Sequence, residues 1–129
     1  MIAVGIGARS SVTALDITAA VAEIMTDANL CADALATFAE ATFAETVGAV
    51  AKGAGFAFAA PPLSALQARN AECQTRSERS FAALGVASIA EAAALAAAGA
   101  GSRLVAARRI VGNVTVAAAQ SADHAEATS

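Results

Sequence analysis

The 129 residues contain no tryptophan or tyrosine, one histidine, one lysine, two cysteines and two prolines. The only histidine, His124, stands in a polar C-terminal stretch, so a histidine-based triad or an imidazole-built zinc site is excluded. Cys31 and Cys73 are 42 positions apart, with no Cys-x-x-Cys pair and no histidine nearby. That rules out a disulfide scaffold, and both thiols are expected to be free and packed as small apolar groups. Basic runs interleaved with aromatics are missing, which argues against a nucleic-acid partner. Large apolar side chains are scarce as well: Leu, Ile, Val and Phe together number 29. That fraction lies just above the level at which a chain reads as disordered.

Alanine fills the gap. It supplies 41 of the 74 hydrophobic residues, and the length suits one domain of ordinary size. The expected core is thin, with small residues between closely approaching helices and strands. Such a composition invites a membrane reading, which fails on inspection. The best window, 81–100, is mostly alanine and carries Glu91 near its middle. A carboxylate at the centre of a spanning helix costs about 2.5–3.5 kcal/mol, and alanine offers little to offset it. No basic region precedes the short apolar run Ile2–Ile6, so no signal peptide is expected. A cytoplasmic protein with no membrane partner follows as the expectation.

Charge is unevenly distributed. Residues 1–68 carry a net of −4, whereas 69–109 hold six arginines against Glu72, Glu78 and Glu91, a net of +3. A local arginine surplus in an acidic chain suits an anionic small molecule. Solvated helix faces are the plainer explanation for individual arginines.

Periodicity outlines alternating strands and helices. Ile2–Gly7 reads as a buried strand, and Thr13 with Asp16 as a capping box opening a helix that ends near Asn29. A second strand is expected at Leu35–Phe38, a helix at 42–52 stopped by Gly53 to Gly55, and a third strand at Phe56–Phe58. Between Leu63 and Thr75 a short helix and a loop are equally open. Ser77–Leu84 reads as a helix ended by Gly85, and Ser88 with Glu91 as a capping box for a helix to Ala98. Leu104–Arg108 and Val114–Ala117 flank Gly112-Asn113 as a hairpin, and residues 120–129 read as a disordered tail after a single domain at 1–119. The fold class is α/β: a three-layer α/β/α sandwich on a mixed, mostly parallel sheet of about five strands.

Chemistry is sparse. Gly5-x-Gly7-x-Arg9-Ser10-Ser11 follows the first strand and leads into a helix. Backbone amides at such a turn face anions, and Arg9 adds a guanidinium fork. The third glycine of a dinucleotide fingerprint is missing, so another anion or a purely structural turn is favoured. Thr37 would lie beside that turn in a parallel sheet. Glu40 and Glu45 flank the next helix start, where they could activate water or simply complement the helix dipole. Glu91 is read as a capping residue. Gly112, Asn113 and Thr115 could hydrogen-bond a ligand or shape the turn. No metal constellation and no cofactor are expected.

Four segments in order carry a more specific resemblance: Val4-Gly5-Ile6-Gly7-Ala8-Arg9, Leu35-Ala36-Thr37, Val86-Ala87-Ser88-Ile89-Ala90-Glu91-Ala92-Ala93-Ala94-Leu95, and Gly112-Asn113-Val114-Thr115-Val116-Ala117. Across about residues 2–119 the chain resembles the CobE family, which is similar to the carboxyl-terminal domain of CbiG in cobalamin biosynthesis. The resemblance implies a three-layer α/β/α domain of the corrin pathway, with a precorrin or other corrinoid tetrapyrrole as partner alongside other corrin-pathway enzymes. The larger CbiG proteins open the lactone of cobalt-precorrin-5A and release acetaldehyde; stand-alone CobE proteins belong to the aerobic route, and this length resembles the latter. The chain departs from the family in three places. Ala8 stands where cysteine is common, Ala41 where lysine is common, and Arg108 with Ile110 in place of a lysine pair. Two functions follow as expectations. One is binding and delivery of a precorrin or hydrogenobyrinic-acid-type intermediate by Gly5, Gly7, Arg9, Ser10, Ser11, Thr37, Arg108, Gly112, Asn113 and Thr115. The other is lactone hydrolysis with Glu40 or Glu45 activating water.

Overall fold

The computed structural model describes residues 1–122. In chain order it has β1 (Ile2–Ala8), α1 (Ala14–Asp27), β2 (Ala34–Ala36), α2 (Ala44–Ala54), β3 (Ala57–Ala59), α3 (Leu63–Ala68), a 3₁₀ turn (Asn70–Glu72), α4 (Glu78–Leu84), α5 (Ile89–Ala98), β4 (Arg103–Val111) and β5 (Val114–Gln120). The sheet order is β3-β2-β1-β5-β4. β1, β2 and β3 pair in parallel; β5 is antiparallel to both β1 and β4. Four of the five strands therefore point the same way, and only β5 is reversed. The expected α/β sandwich on a mixed, mostly parallel sheet is what forms.

Local signals set the helix ends. Thr13 and Asp16 form the reciprocal capping box, each side chain accepting the other's backbone N–H at 3.2 and 3.1 Å. At the other end Asn29 takes φ 53°, while Leu30 and Asn29 donate to the carbonyls of Met25 and Thr26. That is a Schellman stop with asparagine in the glycine position. The open segment 63–75 resolves into α3, the 3₁₀ turn and a loop.

Strand alternation sorts the two faces. Val4 and Ile6 pack with Ile17, Val21 and Ile24 of α1, and Phe58, in register with Leu35 and Val4, lies under Gly48 of α2. Gly5 and Gly7 face α5 on the opposite side. Fully buried Ile, Leu and Val side chains contribute up to about 1.5–3 kcal/mol each. Alanine does something different. A Cβ on Gly5 would sit 1.9 Å from the Ala90 carbonyl oxygen and 2.7 Å from the Ala94 nitrogen, so α5 lies directly on β1. Ala3, Ala94, Leu95, Ala98 and Ala119 form the small second core at this contact. The thin core is thus a close approach of backbones.

Several expectations are corrected. β5 extends through Gln120, and Ser121 is buried with its N–H on the Met1 carbonyl, so the folded part runs beyond 119; residues 123–129 of the expected tail, His124 included, lie outside the described residues. Cys31 is exposed rather than packed, and Cys73 is half-buried. No single helix is long and apolar enough to cross a membrane among the described residues; α4 and α5 pass that test only jointly and are bent by 62°.

Candidate functional site

The carboxyl ends of β1, β2 and β4 lie at one edge of the sheet, and the first residues of reversed β5 join them. Ligands of open α/β sheets gather at this edge. A cleft of about 370 Å³ opens there. Three arginines border it: Arg9 just past β1, Arg79 on α4 and Arg108 on β4. No aspartate or glutamate lines it among the described residues. The other ion-pairing arginines have their own acids, Arg69 with Glu72, Arg76 with Glu78 and Arg109 with Asp27. Arg9, Arg79 and Arg108 make no ion pair among the described residues. Three positive charges around a cleft, with no acidic partner among the described residues, form a strong anion attractor.

The remaining lining is mixed. Ser77, Ser80, Asn113 and Thr115 supply hydroxyl and amide groups, and Phe38, Phe43, Leu84, Ile89 and Ile110 the apolar surface. Phe38 and Phe43 meet edge to face with centroids 6.3 Å apart, stiffening one side. Ile110 is 68 % exposed, an apolar side chain presented at the mouth. The hairpin turn opens with Gly112 at φ 60°, the conformation a two-residue turn with glycine in first position needs.

Of the residues singled out from the sequence, Gly7, Arg9, Arg108, Asn113 and Thr115 come together around the cleft. The others do not. Gly5 is covered by the α5 backbone and faces no ligand space. Thr37 is fully buried and donates its hydroxyl to the Ile6 carbonyl at 2.9 Å, fastening the end of β2 to β1. Ser10 and Ser11 lie in an exposed turn closed by the Val12 N–H on the Arg9 carbonyl, and Gly112 borders open solvent. The start of α1 is filled by its own Asp16, so the anion-facing elements are guanidinium groups rather than a helix terminus. Glu40 is exposed and accepts the Leu63 N–H at 2.9 Å, capping α3 from outside. Glu45 is exposed in the first turn of α2. Neither borders the cleft.

Two further placements differ from expectation. Arg79, Ser77 and Ser80 were not singled out, although the arginine surplus of 69–109 includes Arg79. Glu91 is no box-forming cap: Ser88 accepts its N–H at 3.2 Å, but its carboxylate serves Gln74, Thr75 and Arg108. Burial pushes the Cys73 thiol up from its ordinary value, its sulfur donating weakly to the Ser88 carbonyl at 3.7 Å. No cluster of three or more His, Cys, Asp or Glu side chains able to hold a metal ion exists among the described residues.

Comparison with known proteins decides the family. The profile described as cobalamin synthesis G C-terminus matches residues 2–119. This chain belongs to that family. A solved structure of the cobalamin biosynthesis protein chiG from Agrobacterium tumefaciens str. C58 is 39 % identical, with a TM-score of 0.78, covering 95 % of this chain and all of that one. CobE, a protein from the cobalamin (vitamin B12) biosynthetic pathway, superposes with a TM-score of 0.84 at 23 % identity over 92 % of each chain. A cobalamin biosynthesis protein G homologue from Sulfolobus solfataricus gives 0.73 at 22 % identity, covering 92 % of this chain but 36 % of that longer one. At these lower identities the likeness is one of fold. No curated protein matches the chain. Membership of a cobalamin biosynthesis family makes corrin-pathway intermediates the natural class of ligand.

Proposed function

We propose that this protein binds a precorrin or hydrogenobyrinic-acid-type intermediate through its side-chain carboxylates and delivers it unchanged to the next step of corrin synthesis. One observation carries the reading: Arg9, Arg79 and Arg108 surround a cleft into which no carboxylate of the described residues projects. Such macrocycles carry acetate and propionate arms on a flat apolar ring. At about 370 Å³ the cleft lies near the small end of the range for small-molecule sites, about 300–1,000 Å³. It suits one edge of a four-ring macrocycle, the acid arms meeting the arginines and the ring edge meeting Phe38, Phe43 and Ile110. Charge-assisted hydrogen bonds of this kind contribute about 1.5–3 kcal/mol each.

The hydrolytic alternative lacks support at this place. Lactone opening needs a base within reach of a water beside the substrate. Glu40 and Glu45 do not line the cleft, and Glu40 is occupied in capping α3. Mixing the pure protein with hydrogenobyrinic acid and with precorrin-5A, then recording absorption spectra and product masses together, tests both readings. One-to-one spectral saturation without a mass change is expected. Acetaldehyde release, abolished by Glu40→Gln or Glu45→Gln, would reverse the conclusion.

A further inference from the structure

Glu91 is the only fully buried carboxylate among the described residues. Its Oε1 accepts the N–H groups of Gln74 at 2.8 Å and Thr75 at 3.0 Å, and its Oε2 accepts the N–H of Arg108 at 2.8 Å. Three charge-assisted bonds from backbone amides, together with its place in the first turn of α5, account for a carboxylate being tolerated inside. What they connect is less ordinary.

On one side lies a β-bulge. β4 pairs Ala106 with Ala118 and Arg109 with Val116, so Ala107 and Arg108 together oppose Ala117. A bulge takes a residue out of the ladder and re-aims its side chain. Here the Arg108 N–H goes to Glu91 instead of across the sheet, and its side chain borders the cleft. On the other side, Gln74 and Thr75 lead directly to Ser77, whose hydroxyl caps α4 through the Ser80 N–H and whose own N–H bonds the Ala87 carbonyl at 2.7 Å. α4 carries Arg79 and Ser80. One carboxylate therefore fastens both walls that bring Arg79 and Arg108 to the cleft. Arg9 stands in the turn after β1, outside this arrangement.

We infer that Glu91 is a positioning residue of the anion site, setting the separation of the Arg79 and Arg108 walls while itself touching no ligand. The inference rests on the proposed carboxylate binding, and the test separates the two. Hydrogenobyrinic acid is titrated into the wild type, Glu91→Gln, Arg79→Ala/Arg108→Ala, Arg9→Ala and the combinations with Glu91→Gln. Glutamine keeps one acceptor oxygen and offers an NH2 where Glu91 accepts, so one wall is released. Glu91→Gln is expected to raise Kd about tenfold. That effect is expected to shrink to less than about twofold when Arg79 and Arg108 are already gone, yet to persist in full in Arg9→Ala, because only interacting sites are non-additive. An equal effect in every background, or none, overturns the inference, since a general loss of stability would act on all three arginines alike. If Glu91→Gln does not fold, Glu91→Asp, which keeps the charge but reaches one methylene less, takes its place with the same expectations. Nuclear magnetic resonance of the ligand-free protein decides the positioning even if the wild type binds no hydrogenobyrinic acid, a result that would defeat the proposed function alone. The variant must move the side-chain Nε–H resonances of Arg79 and Arg108 and leave that of Arg9; unmoved Arg79 and Arg108 resonances overturn the inference.

Discussion

Replacing Gly5 by alanine separates a packing glycine from a ligand-facing one. The added Cβ would lie 1.9 Å from the Ala90 oxygen, 2.7 Å from the Ala94 nitrogen and 2.9 Å from the Ala90 carbon, all backbone atoms of α5. No side-chain rotation relieves such a contact, so the helix must lift by roughly 1 Å. Lifting it opens the tight contact of Ala3, Ala94, Leu95 and Ala119, which is built mostly of alanines too short to follow. Overpacking of a close-packed core ordinarily costs about 1–3 kcal/mol, and a clash with immovable backbone belongs at or above the top of that range. A loss of about 3 kcal/mol lowers Tm by roughly 10–15 °C for a domain of this length. Urea unfolding followed by circular dichroism measures it, with equal m-values showing that the denatured state is unchanged. A Gly5→Ala protein within about 0.5 kcal/mol of wild type that nevertheless failed to bind ligand would refute the reasoning and return Gly5 to the site.

Gly53 offers the opposite case. It lies inside α2 with nothing within 4 Å of an added Cβ, so Gly53→Ala should stabilise by about 0.5–1 kcal/mol in the same assay. Arg69, only 15 % exposed, donates to the carbonyls of Leu95, Gly99 and Ser102 and so closes the C-terminal end of α5. Arg69→Ala should cost about 2–3 kcal/mol in urea unfolding, whereas Glu72→Ala should cost less than about 1 kcal/mol because its half-exposed carboxylate is screened by solvent. The Arg69 hydrogen bond and charge hold the Glu72 carboxyl below its ordinary value of 4.5, so its small share of stability is complete above that pH and lost as pH falls through the lowered value. Iodoacetamide at pH 8, read by peptide mass, should label exposed Cys31 first. Cys73, its thiol pushed up by burial, should lag and catch up only as pH rises.

Much of the fold was legible because its signals are local. The Thr13–Asp16 box, the Gly85 stop and the Gly112-Asn113 turn each depend on residues within a few positions. Gly5 misled because the reason for it is distant in sequence: Ala90 and Ala94 bring a helix onto the strand, and two small residues there look like any others in an alanine-rich chain. Glu91 misled for the same reason, its Gln74, Thr75 and Arg108 partners lying 16 or 17 positions away on either side. The site was half legible. Arg9 just past β1 and Arg108 in the carboxyl half of β4 lie on the side where topology points to ligands, but Arg79 reaches the cleft only through the fold of the chain between α3 and α5. The alanine surplus thus serves close approach of α5 to β1 and β5, as the composition implied, although which helix and strands meet was not legible in it.

Three arginines at one sheet edge are proposed to hold the acid arms of a corrinoid. Spectrophotometric titration of wild type, the three single Arg→Ala variants and Arg9→Ala/Arg79→Ala/Arg108→Ala with hydrogenobyrinic acid, repeated at low and high salt, measures it. Each single substitution should raise Kd about tenfold or more, the triple variant should show no saturable binding, and wild-type affinity should weaken as salt screens the charges. Undiminished, salt-independent binding by a folded triple variant would contradict it.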